Sequence, residues 1–364
     1  MKKPHMAVIG AGAFGGWTAL YLLRGGARVT LLDAWGPGNS RASSGGETRV
    51  IRGTYGPKQP YTKMAARAMQ LWSEHEQRWK CQMMHRIGVL WMACEGDDEF
   101  ERGSLPELRE AGIRFRELSQ KEMKKRWPQI YLEDVPWGIF EPDGGFLYAR
   151  RSCQVVVEGL VAEGGEFRLG AVQGDLESEG WDALHFSDGS KLAADAYVFA
   201  CGPWLGKLFP QTVGDRVKAT KQDVFFFGPP AGEDLFSESK LPVWGDHRMP
   251  FMYGIPGNDG RGFKIADDTL GEEFDPTSGE RVVSAEGLRT VREYMGYRFP
   301  GMKNAPLVET RVCQYEQSPD RHFIVEQHPS AENVWIVGGG SGHGFKHGPA
   351  LGEMVAGKIL GLWL

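Results

Sequence analysis

Three glycines near the beginning of the chain have the spacing of a site that binds a dinucleotide. They lie in the segment Gly10-Ala11-Gly12-Ala13-Phe14-Gly15. The first glycine permits a tight turn, the second lets the backbone approach a pyrophosphate, and the third lets a helix pack closely on a strand. A helix that starts there offers N–H groups and a partial positive charge to the phosphates. Asp33 follows about 20 residues later, where a carboxylate can accept a hydrogen bond from a ribose hydroxyl.

The segments around these glycines form the order strand, turn, helix, strand. Residues Ala7–Ile9 are apolar, a helical stretch runs to Leu23 and stops at Gly25-Gly26, and Arg28–Leu32 is a second apolar run. Because parallel strands need such a crossover, we predict a Rossmann-like unit that binds a dinucleotide. The alternative is a glycine-rich turn with a structural Asp33, and the fingerprint alone does not distinguish NAD from FAD.

Two later segments favour FAD. The apolar run Tyr197–Ala200 ends in Cys201-Gly202-Pro203-Trp204, which resembles a strand end that many glutathione-reductase-type flavoproteins carry beside FAD. The run Gly338–Gly344 follows the apolar strand Val334–Val337 and precedes a helix that starts near Pro349. Its backbone N–H groups can form a nest for an anion, which in a flavoenzyme is the charge that grows on the reduced ring.

The middle of the chain has a different pattern. Short apolar runs at Val224–Phe227, Phe251–Gly254 and Gly262–Ile265 lie between glycine and proline turns, which is typical of an antiparallel sheet. Helices are predicted at Tyr61–Trp79, where Met64, Ala68, Leu71, Trp72 and Trp79 share a face, and also at Gln154–Ala162 and Ala285–Tyr297. We therefore expect an α/β fold with two domains. A discontinuous FAD-binding domain covers 1–80, 145–215 and 315–364, and a substrate domain with a mixed or antiparallel sheet covers 81–144 and 216–314.

Composition excludes several other classes of protein. The 364 residues carry a net charge of −5, so neither a basic stripe for nucleic acid nor a polybasic membrane patch is expected. No apolar run approaches the length of a transmembrane helix. The five cysteines are scattered without metal-ligand spacing, so we expect no metal, no disulfide framework and a cytoplasmic protein. Fifty glycines are about twice the usual share, which places backbone close to other groups.

Several longer motifs resemble the monomeric sarcosine oxidase family, which also includes N-methyltryptophan oxidase and, more distantly, the fructosyl-amino-acid oxidases. The motifs are Ser43-Ser44-Gly45-Gly46-Glu47-Thr48-Arg49-Val50-Ile51-Arg52, Arg126-Trp127-Pro128, Phe140-Glu141-Pro142-Asp143-Gly144-Gly145, Cys313-Gln314-Tyr315 with Ser318-Pro319-Asp320, and Ser341-Gly342-His343-Gly344-Phe345-Lys346. The resemblance implies FAD, a D-amino-acid-oxidase-like fold and a monomer. It also implies that a secondary or N-substituted amine gives a hydride to the flavin N5, that the imine hydrolyses, and that O2 reoxidises the flavin to give H2O2.

The resemblance assigns roles to several side chains. Lys264 matches a lysine that promotes the reaction with oxygen, and Arg49 matches an arginine near the flavin ring. Arg52 and Lys346 match a pair that grips the substrate carboxylate, a task that suits a guanidinium and an ammonium. Two further residues, Tyr253 and Tyr315, match tyrosines of the substrate pocket. Lys264 lies between apolar Phe263 and Ile265, so it occupies the opposite face of its strand.

The expected cofactor site combines the glycine segments with the family motifs. Its residues are Gly10, Gly12, Phe14, Gly15, Asp33, Ser43, Thr48, Arg49, Gly202, Trp204, Cys313, Gly340, Gly342, His343, Gly344 and Lys346. Cys313 matches the cysteine that forms a thioether to the flavin 8α-methyl group, although a free cysteine is also commonly a small buried hydrophobe. The imidazole of His343 either orders the glycine loop or acts as a base.

Two positions depart from the family pattern. Gly45 stands where sarcosine oxidase has a histidine, which predicts a larger pocket. Asp268 stands where the family has a pocket histidine, and the run Lys264–Asp268 is closer to the fructosyl-amino-acid oxidases. A carboxylate there attracts a cationic or hydroxyl-rich substrate, whereas a solvated turn is the alternative. The competing functions are a fructosyl-amino-acid oxidase, a dehydrogenase with an acceptor other than oxygen, a flavoprotein without activity and an NAD-dependent reductase.

Overall fold

A computed structural model describes residues 3–57, 60–173, 176–177 and 181–361. The α-helices are α1 (Ala13–Arg24), α2 (Tyr61–Trp79), α3 (Glu99–Glu110), α4 (Gln120–Arg126), α5 (Ala149–Ala162), α6 (Leu205–Leu208), α7 (Ala285–Arg298) and α8 (Gly348–Ile359). The strands are β1 (His5–Ile9), β2 (Arg28–Asp33), β3 (Thr48–Ile51), β4 (Met84–His85), β5 (Val89–Ala93), β6 (Arg116–Ser119), β7 (Trp137–Glu141), β8 (Gly145–Tyr148), β9 (Glu166–Leu169), β10 (Val172–Gln173), β11 (Leu184–Phe186), β12 (Lys191–Leu192), β13 (Ala196–Phe199), β14 (Lys218–Phe227), β15 (Val243–Asp246), β16 (Met252–Ile255), β17 (Phe263–Asp267), β18 (Leu307–Gln317), β19 (Ile324–His328) and β20 (Ala331–Gly338).

A six-stranded sheet contains the first and the last strands of the chain. Its order is β19-β20-β13-β1-β2-β9, and all pairs are parallel except β19 with β20. The strands β1, β2 and β13 are almost wholly apolar and buried because both faces of a parallel sheet are covered. Helix α1 packs against α8 and α5, so the two ends of the chain meet beside the first crossover.

An eight-stranded sheet forms the second layer of the molecule. Its order is β18-β14-β17-β16-β15-β5-β7-β6, and its pairs are antiparallel except β5 with β15. Helix α7 covers one face, where Trp244, Phe263 and Phe299 pack with Met295. The opposite face therefore remains for the cavity that is described below.

The predicted elements and the predicted mixed α/β fold are confirmed, with differences at several boundaries. Strand β14 begins at Lys218 because it pairs with β18 over its full length. Helix α2 has the predicted ends, but its buried face includes Ala65 and His75, whereas Met64 and Trp79 are half-buried. The domain boundaries stay a prediction, and β18 crosses the one expected between 314 and 315.

Neither a membrane span nor a metal cluster occurs in the part of the chain that the structure describes. None of its helices is long and apolar enough to cross a bilayer. The described residues contain no group of histidine, cysteine, aspartate and glutamate side chains that could hold a metal ion.

Candidate active site

Two cavities of different character meet between the two sheets. The glycine-lined cavity, about 310 Å³, is bordered by Gly10, Gly12, Gly340, Gly342 and Gly344. The cationic cavity, about 240 Å³, contains all seven residues expected to be catalytic, namely Arg49, Arg52, Tyr253, Lys264, Asp268, Tyr315 and Lys346. Both cavities are lined by Arg49, Cys313, Tyr315, Gly342 and Phe345, so these residues form their common boundary.

The first glycine motif shapes one wall of the glycine-lined cavity. Gly10 has φ +106°, and a Cβ atom there would overlap the carbonyl oxygen of Ala200 at the end of β13. A Cβ at Gly15 would overlap the carbonyl oxygen of Gly10. Only glycine therefore lets the turn pass over β13 while α1 packs on β1. A Cβ atom at Gly12 would overlap no neighbour, since the nearest atom to it would be Ser44 Oγ at 3.4 Å.

Asp33 fixes the turn and also borders the cavity. Its Oδ2 atom accepts a hydrogen bond from Ala11 N at 2.8 Å, and its Oδ1 atom accepts from the backbone of Trp35 and Gly36, both at 2.8 Å. Burial raises the pKa of this carboxyl group. Each carboxylate oxygen has more than one acceptor site, so Asp33 can hold the loop and still accept a bond from a ribose hydroxyl.

Most of the expected cofactor residues line the glycine-lined cavity. Those that do are Gly10, Gly12, Phe14, Asp33, Ser43, Arg49, Gly202, Trp204, Cys313, Gly340, Gly342 and Gly344. His343 and Lys346 line the cationic cavity instead, and Gly15 and Thr48 line neither. Gly15 acts through close packing, whereas Thr48 contributes its carbonyl oxygen, which accepts hydrogen bonds from Lys264 and Arg49.

The residues of the glycine-lined cavity fit an FAD molecule. Helix α1 starts without a capping side chain on Gly12 and without an acidic residue in its first turn, although Ala13 N donates to Ser44 Oγ at 3.1 Å. Gly12, Ala13 and Phe14 at this end line the cavity, so the positive end of the helix can attract phosphate. The buried Ser43 Oγ atom has no hydrogen-bond partner within the described residues. Such an orphaned hydroxyl indicates a polar ligand beside it.

Lys264 is buried in the wall of the cationic cavity. Its side chain, on β17, is 2% exposed, and its Nζ atom donates to Thr48 O at 3.0 Å. Burial, together with the positive charge of Arg49, lowers the pKa of Lys264 to about 7. The lysine is therefore not a solvated strand residue but a cation held at low dielectric, where its charge acts strongly on neighbouring groups.

Arg49 connects the same region to the expected attachment site. Its guanidinium donates to Thr48 O at 2.9 Å, to Ser43 O at 2.5 Å and to Cys313 Sγ at 3.2 Å. This contact places a positive charge directly beside the sulfur atom of Cys313. The other four cysteines have no such contact with an arginine within the described residues.

The position of Arg52 depends on a glutamate from another strand. Glu141, on β7, is fully buried and accepts from Gly53 N at 2.6 Å, Thr54 N at 3.1 Å and Thr54 Oγ1 at 2.6 Å. The turn that it fixes lets Arg52 donate to Thr54 O. The Arg52 guanidinium also lies over the ring of Tyr55 at 4.2 Å and over that of Trp91 at 4.8 Å.

Lys346 is held by a chain of hydrogen bonds that the sequence did not predict. Its Nζ atom donates to His343 O and to Tyr55 Oη, both at 2.9 Å, and Tyr55 Oη lies 2.6 Å from His347 Nε2. Burial, then the charge of Lys346, lowers the pKa of His347 well below its usual range. A neutral His347 accepts from Tyr55, which leaves the phenol oxygen to accept from Lys346.

Asp268 faces the cationic cavity and is not a solvated turn. Its Oδ1 atom accepts from Tyr315 Oη at 2.6 Å, and its Oδ2 atom lies 3.9 Å from the guanidinium of Arg321. Burial raises the pKa of Asp268. The prediction that Gly45 enlarges the pocket is wrong. Gly45 lines neither cavity, and a Cβ there would overlap the carbonyl oxygen of Asn39.

Four further residues that line or support the site were assigned no role from the sequence. Tyr55 and His347 lie beside Arg52 and Lys346 in the chain, so proximity to matched residues was the available signal. Glu141 stood within a family motif without an assigned role. Glu316, one residue after Tyr315, lines the glycine-lined cavity, and nothing in its spacing indicated that it would be buried there.

Comparison with known proteins identifies the family. Residues 5–358 match the family described as "FAD dependent oxidoreductase". The monomeric sarcosine oxidase of Bacillus sp. (strain NS-129) is 30% identical over 96% of this chain and 91% of its own length. The N-methyl-L-tryptophan oxidase of Salmonella dublin is 28% identical over 99% of this chain and 95% of its own length.

Solved structures share the fold at lower identity. The L-proline dehydrogenase of P. horikoshii has a TM-score of 0.85 at 20% identity and covers 98% of this chain and 93% of that one. A modified fructosyl peptide oxidase of Aspergillus nidulans has a TM-score of 0.83 at 20% identity, over 98% and 90% of the two chains. With the glycine-lined cavity fit for FAD, these matches establish that the chain belongs to the FAD-dependent oxidoreductase family and is an enzyme of the sarcosine oxidase and N-methyltryptophan oxidase type.

Proposed function

We propose that the protein is an oxidase of a secondary or N-substituted amino acid. Bound FAD supplies the acceptor for a hydride from the C–H bond next to the substrate nitrogen, which leaves an imine for hydrolysis, and O2 takes up the two electrons as H2O2. The observation that carries the proposal is a pair of basic side chains, half-buried Arg52 and buried Lys346, in a cavity that borders the FAD site.

The cation pair accounts for binding of a carboxylate. Within the described part of the chain, Arg52 and Lys346 donate only to backbone carbonyls and to Tyr55, and neither forms an ion pair. Burial, then the charge of Arg52, lowers the pKa of Lys346 well below its usual range. A substrate carboxylate adds a negative charge beside both side chains, favours the ammonium form of Lys346 and can bind the guanidinium through two parallel hydrogen bonds.

Lys264 supports oxygen as the electron acceptor. It is buried in the wall of the cationic cavity and shares the acceptor Thr48 O with Arg49, which lines both cavities. A fixed ammonium there stabilises negative charge that develops on oxygen without reorganisation. A dehydrogenase with another acceptor has no need of such a charge. The matched Cys313, beside the guanidinium of Arg49, is the proposed site of covalent attachment of FAD. A monomer, like the relatives named monomeric sarcosine oxidase, is the proposed state.

Asp268 favours a second candidate, a fructosyl-amino-acid oxidase. The buried carboxylate of Asp268 reaches the cationic cavity beside Tyr315 and Arg321 and can accept hydrogen bonds from a hydroxyl-rich or cationic substituent. A screen of N-methyl amino acids, cyclic imino acids and fructosyl amino acids with detection of H2O2 separates the two candidates. Turnover without H2O2, with electrons passed to a dye, would instead indicate a dehydrogenase.

The Lys264→Met variant tests the oxygen site. We expect anaerobic reduction by substrate at an almost unchanged rate and a reaction of the reduced enzyme with O2 that is slower by about 10²–10³-fold. In the wild-type protein, the reaction of the reduced enzyme with O2 should slow as the pH rises through the pKa of Lys264, about 7, because the deprotonated amine carries no charge. Stopped-flow absorbance of the flavin measures both half-reactions.

A matched control shows whether the charge or its position matters. Lys218 also lies on a strand of the eight-stranded sheet but is exposed and paired with Glu273, so Lys218→Met should leave both half-reactions unchanged. Reoxidation of Lys264→Met at the rate of the unchanged protein would refute the assignment of oxygen activation to Lys264.

A further inference from the structure

Glu316 is a buried residue whose carboxyl group has few hydrogen-bond partners. It is 6% exposed and lines the glycine-lined cavity from β18. Its Oε2 atom accepts a long hydrogen bond of 3.4 Å from Gly340 N, and its Oε1 atom has no partner within the described residues. Burial of a carboxylate without partners costs several kcal/mol in general, so an uncompensated one in a folded protein requires an explanation.

Within the part of the chain that the structure describes, no compensating charge lies beside Glu316. Strand β14 places Ala219 opposite it, α6 contributes Leu205, and Phe14 of α1 lies near the same loop glycines. A Cβ at Gly338 would overlap both Oε1 and Leu205 Cδ1, so the carboxyl group lies directly against the backbone of the glycine loop. Of the titratable groups that the structure describes, Cys201 is one on which the charge of Glu316 acts. A thiol carries no positive charge, so Cys201 cannot serve as a counter-ion for Glu316.

A second buried glutamate shows what a purely structural role looks like in this fold. Glu141 is more deeply buried than Glu316, yet its two oxygens accept three hydrogen bonds from Gly53 and Thr54. Those bonds replace the water that the carboxylate gave up on folding. Within the described residues, Glu316 accepts one long hydrogen bond from Gly340 N in place of these three, and it borders the glycine-lined cavity, so a molecule that fills the cavity can supply further donors.

We propose that Glu316 is a further FAD-binding residue, whose carboxyl group accepts a hydrogen bond from a hydroxyl or imide N–H donor of the cofactor and whose negative charge opposes reduction of the flavin. Glu316 lies beside Gly340, so its charge is close to the backbone amides of the glycine loop, which would otherwise stabilise a negative charge on the reduced flavin ring. The carboxylate therefore partly offsets the positive potential of these amides and lowers the midpoint potential of the bound FAD.

The charge on Glu316 changes within the working pH range. Burial raises the pKa of Glu316 to about 7, against the weaker opposing effect of the Gly339 and Gly340 amides. Below that pH the group is neutral and can also donate a hydrogen bond; above it the carboxylate exerts its full effect. The midpoint potential should therefore fall more steeply with pH than it does when position 316 carries no titrating group.

The decisive experiment measures the midpoint potential of the holoenzyme during dithionite titration with a reference dye. Glu316→Gln keeps the size and one acceptor but removes the charge. Well above pH 7 we expect its reduction equilibrium to be about tenfold more favourable, or about 30 mV more positive for this two-electron couple. Well below pH 7 the two proteins should agree. Equal potentials at both pH values would overturn the proposal.

A control and a second variant separate charge from hydrogen bonding. Glu326→Gln removes an exposed carboxylate on β19 that is paired with Arg216, and it should not change the potential. Glu316→Leu removes the acceptor as well, so in a Cys313→Ser background its FAD dissociation constant should rise about tenfold, whereas that of Glu316→Gln should change little. Equal retention of FAD by the Leu variant and the unchanged protein would refute the hydrogen bond.

The experiment does not depend on the proposed substrate or on oxygen. Dithionite reduces the flavin directly, so Glu316 can be tested even if the amine oxidase assignment fails. Circular dichroism of each apoprotein checks folding, and if Glu316→Leu does not fold, the potential of Glu316→Gln still decides.

Discussion

The two cavities are built from different parts of the residues that line them. The glycine-lined cavity is bordered mainly by backbone, because Gly10, Gly12 and the glycines of the 340–344 loop line it and a side chain on Gly10 would collide with Ala200 at the end of β13. In the cationic cavity long side chains from β3, β17, β18 and the segment after β20 meet, and each is oriented by a partner from another element. A backbone site tolerates no change of shape, whereas a side-chain site can be altered one group at a time.

The strongest test of this difference is Gly10→Ala compared with Gly26→Ala. Both glycines have positive φ angles, +106° and +98°, so both alanines should cost about 1–3 kcal/mol of stability from backbone strain. A Cβ at Gly26 meets nothing within 4 Å, whereas one at Gly10 overlaps Ala200. We expect loss of FAD binding for Gly10→Ala alone, measured by flavin absorbance after gel filtration. Retention of FAD by Gly10→Ala would break the comparison.

In the cationic cavity the largest effect is expected for Arg52→Leu. Loss of the guanidinium leaves the substrate carboxylate with Lys346 alone, which should lower kcat/KM by about 10²-fold, mainly through KM. The variant should keep its FAD, because Arg52 does not line the glycine-lined cavity. Arg289→Leu, an exposed change on α7, is the control. A drop in kcat with unchanged KM would contradict the role of Arg52 in binding.

Cys313 lies on the boundary of the two cavities and tests whether the backbone site is also anchored covalently. After acid precipitation, the unchanged protein should stay yellow, whereas Cys313→Ser should release its flavin to the supernatant. Before acid precipitation, the folded Cys313→Ser variant should still bind FAD through the glycine segments. Cys153→Ser, a change at a buried cysteine on α5, serves as the control. Flavin released equally from the unchanged protein would exclude the thioether.

The smallest effect is expected for His347→Phe. This change removes the acceptor for Tyr55, so the phenol proton can turn toward Lys346 and the ammonium loses its fixed position. One neutral hydrogen bond contributes about 1 kcal/mol, which corresponds to a rise in KM of about fivefold with little change in kcat. His347→Gln retains an acceptor and should recover part of the loss. Equal KM values for the Phe and Gln variants would show that packing alone matters.

Local patterns predicted the framework and the cofactor side well. The ends of α2, the strand–helix–strand unit at the start of the chain and the glycine loop before α8 follow from hydrophobic period and from glycine position. Each of these features depends on residues that are close in sequence. The residues that line the glycine-lined cavity were therefore largely predictable, whereas the hydrogen bond from Ala11 N to Asp33, which fixes the first glycine turn, was not.

The side-chain network was predictable only in part. The seven expected catalytic residues do line one cavity, but the sequence contained no signal for Glu141 beneath Arg52 or for His347 behind Tyr55. Gly45 shows the opposite error, because its lack of a side chain relieves contact with Asn39 rather than enlarging the pocket.

The sequence by itself determined the strand–turn–helix unit with its glycines, the FAD family and the set of residues able to bind a carboxylate. Only the tertiary structure decided which charges are buried, which are paired and which are left without partners. Lys346 and Glu316 are ordinary charged residues in the sequence, and their lowered and raised pKa values arise because elements far apart in the sequence exclude water around them. Burial is a property of packing, so the electrostatics of the site appear only when both sheets are in place.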